Sequence, residues 1–183
     1  MSAELVLQTE RLRLRPHSIG DFGDLHALTA APEMRRHLTG LASVEDSWKR
    51  LLGVLGGWAT FGFSTFAVLE REGGRYVGNC GLFRMVRDMD PPFPEGAPEA
   101  GWIVAADRHG RGYAGEAMTA VLDWFDATFD HSLTVAMIVP GNVPSERIAA
   151  SLGYRPLGEA QHMGDTVMRY ERRRPGASAL SRR

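Results

Sequence analysis

The chain has 183 residues, 44% of them apolar and 23% charged, the size and composition of one ordinary domain with a real core. A net charge of −1 supplies no global field that would draw DNA or an anionic membrane. No apolar run approaches the roughly 20 residues that span a bilayer, the opening Met1-Ser2-Ala3-Glu4-Leu5 lacks a signal-peptide pattern, and Cys80 alone makes no internal disulfide, so the expectation is a cytoplasmic protein.

Residues 5–15 alternate, with Leu5, Leu7, Leu12 and Leu14 apolar and Arg11, Arg13 and Arg15 between, which predicts a strand ended by Pro16. Ser18 with Asp21 signals a helix start, with Phe22, Leu25 and Leu28 inward and Pro32 as the stop. Ser43 with Asp46 repeats the signal for a helix that buries Val44, Trp48, Leu51, Leu52, Leu55 and Ala59. Residues 63–70 and 76–86 read as a strand pair across a turn. Pro91, Pro92, Pro94, Gly96 and Pro98 mark a loop over 87–98, long enough to suggest function.

A strand from Glu99 to Val104 leads into Arg108-His109-Gly110-Arg111-Gly112, followed by Ala114, Ala117, Met118, Val121, Leu122 and Phe125 at amphipathic-helix spacing. The β-branched run 133–139 suits a central strand. Asn142 and Pro144 open a short helix that Gly153 closes, and strands are predicted over 155–161 and 166–172. The domain is expected over residues 1–173, with a disordered tail over 174–183. The order predicts a mixed α/β sheet of about seven strands and four helices.

A strand that feeds a glycine-rich turn into a helix makes an anion site, because the first backbone N–H groups of a helix lack intrahelical partners and the macrodipole is positive there. Gly110 and Gly112 allow φ > 0 and a close approach, and Arg108 and Arg111 add positive charge. The alternative is a tight turn that binds nothing. No Lys-Ser or Lys-Thr follows, so the loop is not a Walker A motif, and a third glycine needed for a dinucleotide fingerprint is missing.

Three segments carry a family resemblance. Residues 99–117, from Glu99-Ala-Gly-Trp through the glycine loop to Gly115-Glu-Ala117, resemble the central signature of the GNAT superfamily of N-acetyltransferases. Asn142-Val-Pro-Ser145 with Leu152-Gly-Tyr154 is similar to the second signature, and Thr9-Glu-Arg-Leu-Arg-Leu-Arg15 resembles the first strand of the ribosomal-protein N-terminal acetyltransferase branch. The matches run in order from Thr9 to Tyr154.

The resemblance implies the GNAT fold, with a splayed parallel strand pair that admits the pantetheine arm of acetyl-CoA. Backbone groups of Ile103 and Val104 would pair with that arm. Arg108, His109, Gly110, Arg111, Gly112, Tyr113, Ala114 and Gly115 would hold the diphosphate. In the family's loop pattern Gly112 and Ala114 match, while His109 stands where Gln or Arg is usual. Asn142 matches a residue that touches the cofactor arm, with helix N-capping as the alternative. No metal is implied.

The implied reaction is direct attack of a neutral amine on the thioester. The acceptor would be a peptide N-terminal α-amine or a small-molecule amine, with no DNA or membrane partner. Glu99 is the first candidate for a base, against a solvated strand-end carboxylate; Asp88, Asp90 and Glu95 are weaker candidates. Many family members protonate the leaving thiolate with a tyrosine at the position occupied here by Ala149, so Ser145 is the candidate for that role, against N-terminal capping. Tyr154 and Cys80 read as packing, and the four tryptophans as core. The rival reading is a non-catalytic acyl-CoA-binding or protein-interaction module on the same fold. A homodimer through exposed strands or helices is compatible with either.

Overall fold

Leu12 and Leu14 are fully buried while Arg13 between them is exposed, the period-two pattern the sequence predicts. In the computed structural model, which describes residues 5–33 and 43–176, this strand, β2 (Leu12–Pro16), is not continuous with residue 5. The Leu12 N–H donates to the Thr9 hydroxyl and the Thr9 N–H to the Leu12 carbonyl, so the chain turns back and β1 (Leu7–Gln8) pairs antiparallel with β2.

The other strands are β3 (Thr65–Glu70), β4 (Tyr76–Phe83), β5 (Met89–Asp90), β6 (Glu99–Val104), β7 (Leu133–Ile138), β8 (Arg155–His162) and β9 (Asp165–Arg173). They form one sheet in the order β1-β2-β3-β4-β6-β7-β9-β8-β5. Every neighbouring pair is antiparallel except β6 with β7. The sheet thus has nine strands, not seven. The first extra strand comes from the turn at Thr9. The second lies inside the proline-rich loop, where buried Met89 packs with Ala160 and Val167 and holds β5 against β8.

Four α-helices are present among the described residues: α1 (Phe22–Ala30), α2 (Val44–Phe61), α3 (Tyr113–Thr128) and α4 (Val143–Ser151). In α3 the predicted stripe Ala117, Met118, Val121, Leu122 and Phe125 is buried against Leu12, Phe66, Val68 and Leu82 of the sheet. Rings from three parts of the chain extend this core: Trp58 and Trp124 meet Phe66 edge-on, at 4.8 and 5.3 Å between centroids.

The buried face of α2 differs from the prediction. Ser47, Leu51 and Val54 turn inward, and Val44, Trp48 and Leu52 are exposed. Ser47 sets that rotation: its hydroxyl lies 2.9 Å from His26 Nδ1 and 3.2 Å from Thr29 Oγ1 in the seam with α1. The Ser47 hydroxyl is paired in that seam, so its burial leaves no unsatisfied polar group.

Arg172 is a buried β9 residue whose guanidinium bonds the Asp126 carboxylate at 2.6 and 3.2 Å. Of the expected tail over 174–183, residues 177–183 lie outside the described residues.

Arg15 donates both Nη atoms to buried Asp21, at 2.7 and 2.6 Å. Burial pushes the Asp21 carboxyl up, but the Arg15 guanidinium and the Ser18 N–H and hydroxyl outweigh it and hold it at about 2. Because the folded value lies below the ordinary 3.8, this stability is present above pH 3.8 and is lost as pH falls toward 2. Asp21→Asn is expected to cost about 1–2 kcal/mol at neutral pH, with the gap to the wild-type chain closing at the acid end. Urea unfolding across that range checks it; a constant gap contradicts it.

Candidate active site

β6 pairs with β4 along its whole length, from Glu99↔Phe83 to Val104↔Gly78. Its parallel pairing with β7 stops after Glu99↔Val135 and Ala100↔Ala136. Beyond Ala100 the two strands diverge. Ala105 N–H donates to the Val77 carbonyl and Val135 N–H to the Pro98 carbonyl, so odd-numbered backbone groups of β6 face β4 and even-numbered ones face β7. The groups exposed to the gap are therefore those of Trp102 and Val104. The expectation for Ile103 fails on this alternation, because its N–H and carbonyl are turned to β4.

Past β6 the chain makes one 3-10 turn (Ala106–Arg108) and enters the glycine loop. Gly110 and Gly112 have φ of 73° and 78°, and Gly112 is the N-cap of α3. The N–H groups of Arg108 and His109 bond carbonyls within the turn. Among the described residues, no acceptor takes the N–H of Gly110, Arg111, Gly112, Tyr113, Ala114 or Gly115. Six consecutive free donors at the positive end of a 16-residue helix fit a diphosphate.

The side chains of this loop are divided. His109 Nε2 lies 2.8 Å from the Val104 carbonyl and, since a carbonyl only accepts, carries the proton; His109 closes the end of β6 rather than facing an anion. Arg108 turns inward to Glu70 at 3.4 Å, and buried Tyr113 donates its hydroxyl to the same carboxylate at 2.9 Å. Among the described residues Arg111 has no carboxylate partner.

Across the gap, α4 presents Asn142 and Ser145. Asn142 Oδ1 caps the helix by accepting from the Ser145 N–H at 3.3 Å. Ser145 Oγ accepts from Trp102 Nε1 at 3.3 Å, so these two side chains bridge the diverging strands. Trp102 is partly buried against the core while its Nε1 reaches the gap, and Trp48 is exposed. Ala149 is fully buried. Tyr154 is buried with its hydroxyl 2.9 Å from Thr134 Oγ1, and burial pushes its phenol up to about 12. Burial also pushes the Cys80 thiol up to about 12, which removes it as a nucleophile.

Glu99 is not an exposed strand-end carboxylate. It is 5% exposed, and Arg87 grips both oxygens, Nε to Oε2 at 2.6 Å and Nη2 to Oε1 at 2.7 Å. Arg87 Nη1 lies 3.3 Å from Nε2 of buried His162, whose Nδ1 is 2.9 Å from the Asp88 carbonyl. A carbonyl only accepts and a guanidinium only donates, so these contacts make Nδ1 the donor and Nε2 the acceptor. Both Glu99 oxygens are thus occupied by Arg87. Sequence reading missed Arg87 and His162, which are 75 residues apart with no shared motif. Beside the site, α1 and the ends of β4 and β6 enclose a cavity of about 290 Å³ lined by Asp24, Leu28, Tyr76 and Ala105 among others.

The acetyltransferase (GNAT) domain family matches residues 11–155 of the chain. A structure from Bordetella pertussis named as a GNAT-family acetyltransferase is 31% identical, covers 92% of this chain and 99% of that one, and superposes with a TM-score of 0.81. An uncharacterised N-acetyltransferase of Bacillus licheniformis, p20, is 25% identical over 83% of both chains. The structure of RimL, a ribosomal L7/L12 α-N-protein acetyltransferase in complex with coenzyme A, has the same fold with a TM-score of 0.74, at 16% identity over 92% of this chain and 98% of that one.

Glu99→Gln removes one member of a buried ion pair and is expected to destabilise the fold by about 3 kcal/mol, while the pH profile of turnover stays as in the wild-type chain. Thermal unfolding with a pH–rate profile checks both. A stable variant whose acid limb is lost would return Glu99 to the role of base.

Proposed function

The chain belongs to the GNAT acetyltransferase family, and from that premise we propose that it transfers the acetyl group of acetyl-CoA to a primary amine, with a peptide N-terminal α-amine as the preferred acceptor. One observation carries the reading: six free N–H groups at the start of α3 lie next to a strand gap with open backbone groups. The N–H groups of residues 110–115 would hold the diphosphate, with Arg111 adding charge. Trp102 N–H and carbonyl and Val104 N–H would pair with the pantetheine amides, as an added strand does. Asn142 acts through its cap, which fixes the start of α4 and hence Ser145. The RimL complex, of like fold, supports coenzyme A as the ligand class.

Acetyl-CoA supplies an activated acyl carbon. The amine nitrogen forms the new C–N bond and sheds a proton to solvent, the C–S bond breaks, and the thiolate takes a proton from a donor that solvent then reprotonates. Ser145 Oγ accepts from Trp102 Nε1, so its own hydroxyl proton is left to donate, and we assign it to the departing sulfur. An α-amine near pKa 7.7–8.0 costs about 1 kcal/mol to deprotonate at neutral pH, against roughly 4–5 kcal/mol for a lysine near 10.4. With Glu99 held by Arg87, an acceptor that asks little of a base fits this site better.

A second reading is a non-catalytic acyl-CoA-binding module. Ala149, buried where many family members carry a proton-donating tyrosine, favours it.

Thiol release from acetyl-CoA, measured over peptides, small amines and aminoglycosides, separates the two. Release with peptides bearing a free α-amine, abolished when that amine is blocked, is expected; coenzyme A binding without release for any acceptor would support the module, and no binding at micromolar levels sinks both.

A Cβ at Gly112 would meet protein only at Arg11 Nη2, at 3.6 Å, so its requirement for glycine comes from the φ of 78°. Gly112→Val is therefore expected to reshape the loop and raise the KM for acetyl-CoA about tenfold or more. An unchanged KM in a folded variant contradicts the loop assignment.

A further inference from the structure

The turn between β1 and β2 reaches the glycine loop through one side chain. Arg11 Nε donates to Glu116 Oε2 at 2.7 Å, with Nη2 2.5 Å from the same oxygen. The Arg11 N–H donates to Oε1 at 3.0 Å, and the Thr9 hydroxyl donates to that oxygen too. Nη1 donates to the Arg111 carbonyl at 2.9 Å, and the guanidinium carbon lies 4.6 Å from the Tyr113 ring centroid. The turn itself is fixed from β3: the Arg71 N–H bonds the Arg11 carbonyl at 2.9 Å, and Arg71 Nη1 bonds the Thr9 and Glu10 carbonyls at 3.0 and 3.3 Å.

We propose that Arg11, anchored by Glu116 and Thr9, is a positioning residue for the diphosphate loop, an inference that rests on the acetyl-CoA reading above. Two consequences of its geometry support this. The fork joins two parts of the site: Nη1 holds the Arg111 carbonyl in the loop while Nε and Nη2 hold Glu116 in the first turn of α3, so one side chain fixes the loop relative to the free N–H groups. The second consequence is electrostatic. The Glu116 carboxylate is largely buried in the first turn of α3, where it would repel a diphosphate on the same turn. Arg11 neutralises it with a geometry that also aims the loop. An exposed ion pair that served stability alone would have no need of the loop carbonyl.

The test uses the full chain with two acyl donors, acetyl-CoA and S-acetylpantetheine, which has no diphosphate. Arg11→Gln is expected to raise the KM for acetyl-CoA and the Kd for coenzyme A about tenfold, with kcat changed less than about twofold. The KM for S-acetylpantetheine moves far less, so the loss is confined to the donor that carries a diphosphate. Arg11→Lys keeps the charge but not the fork that reaches both Glu116 and Arg111, and should fall between. Glu116→Gln, which loosens the anchor but also removes the repelling charge, should weaken coenzyme A binding less than Arg11→Gln does in a folded chain. An unchanged Kd for coenzyme A in Arg11→Gln, or an equal loss with both donors, overturns the proposal and leaves the acetyl-CoA reading standing. A wild-type chain that binds no coenzyme A sinks that reading, and this one with it.

Discussion

A backbone N–H without a protein partner must be met by water or by a ligand, and a helix N-terminus gathers several of them in one place. Residues 110–115 form such a run at the end of a strand and the start of a helix. Much of the neighbouring structure acts to keep that run open. Gly112 takes a left-handed conformation that ends the loop and starts α3. His109 ties the loop back to the Val104 carbonyl, which sets the distance between the free donors and the end of β6. Arg11 ties the Arg111 carbonyl of the loop to Glu116 in the first turn of α3. The strand gap completes the arrangement, since a ligand held at the loop can run on into backbone groups of Trp102 and Val104 that β7 does not reach.

The arginines explain how a chain of net charge −1 makes a local anion site. Arg15, Arg87, Arg108 and Arg172 each face a carboxylate, on Asp21, Glu99, Glu70 and Asp126. Arg11 is likewise neutralised by Glu116. Arg111, at the tip of the loop, is left with its charge toward solvent beside the helix dipole. Local positive potential here comes from which charges are paired, not from an excess of them.

The fold was legible where a local rule decides. The Ser43–Asp46 capping box, the α3 stripe, the hairpins and the strand–loop–helix unit all follow from spacing and turn chemistry. The misses come from contacts between distant segments. Ser47 rotates α2 because it meets α1, and β5 forms because Met89 meets β8. At the site, the glycine loop and Ser145 could be found from motifs, but the partners that decide their chemistry could not. Glu99 looks like a free acid until Arg87 is placed on it, and the Thr9–Arg11 segment looks like a strand until it reaches Glu116, 105 residues away.

Amide hydrogen exchange over residues 110–115 tests the central claim most directly. With coenzyme A added, those six N–H groups should exchange much more slowly, and pantetheine should leave them as they were. Unchanged exchange at these positions in a chain saturated with coenzyme A would contradict the account.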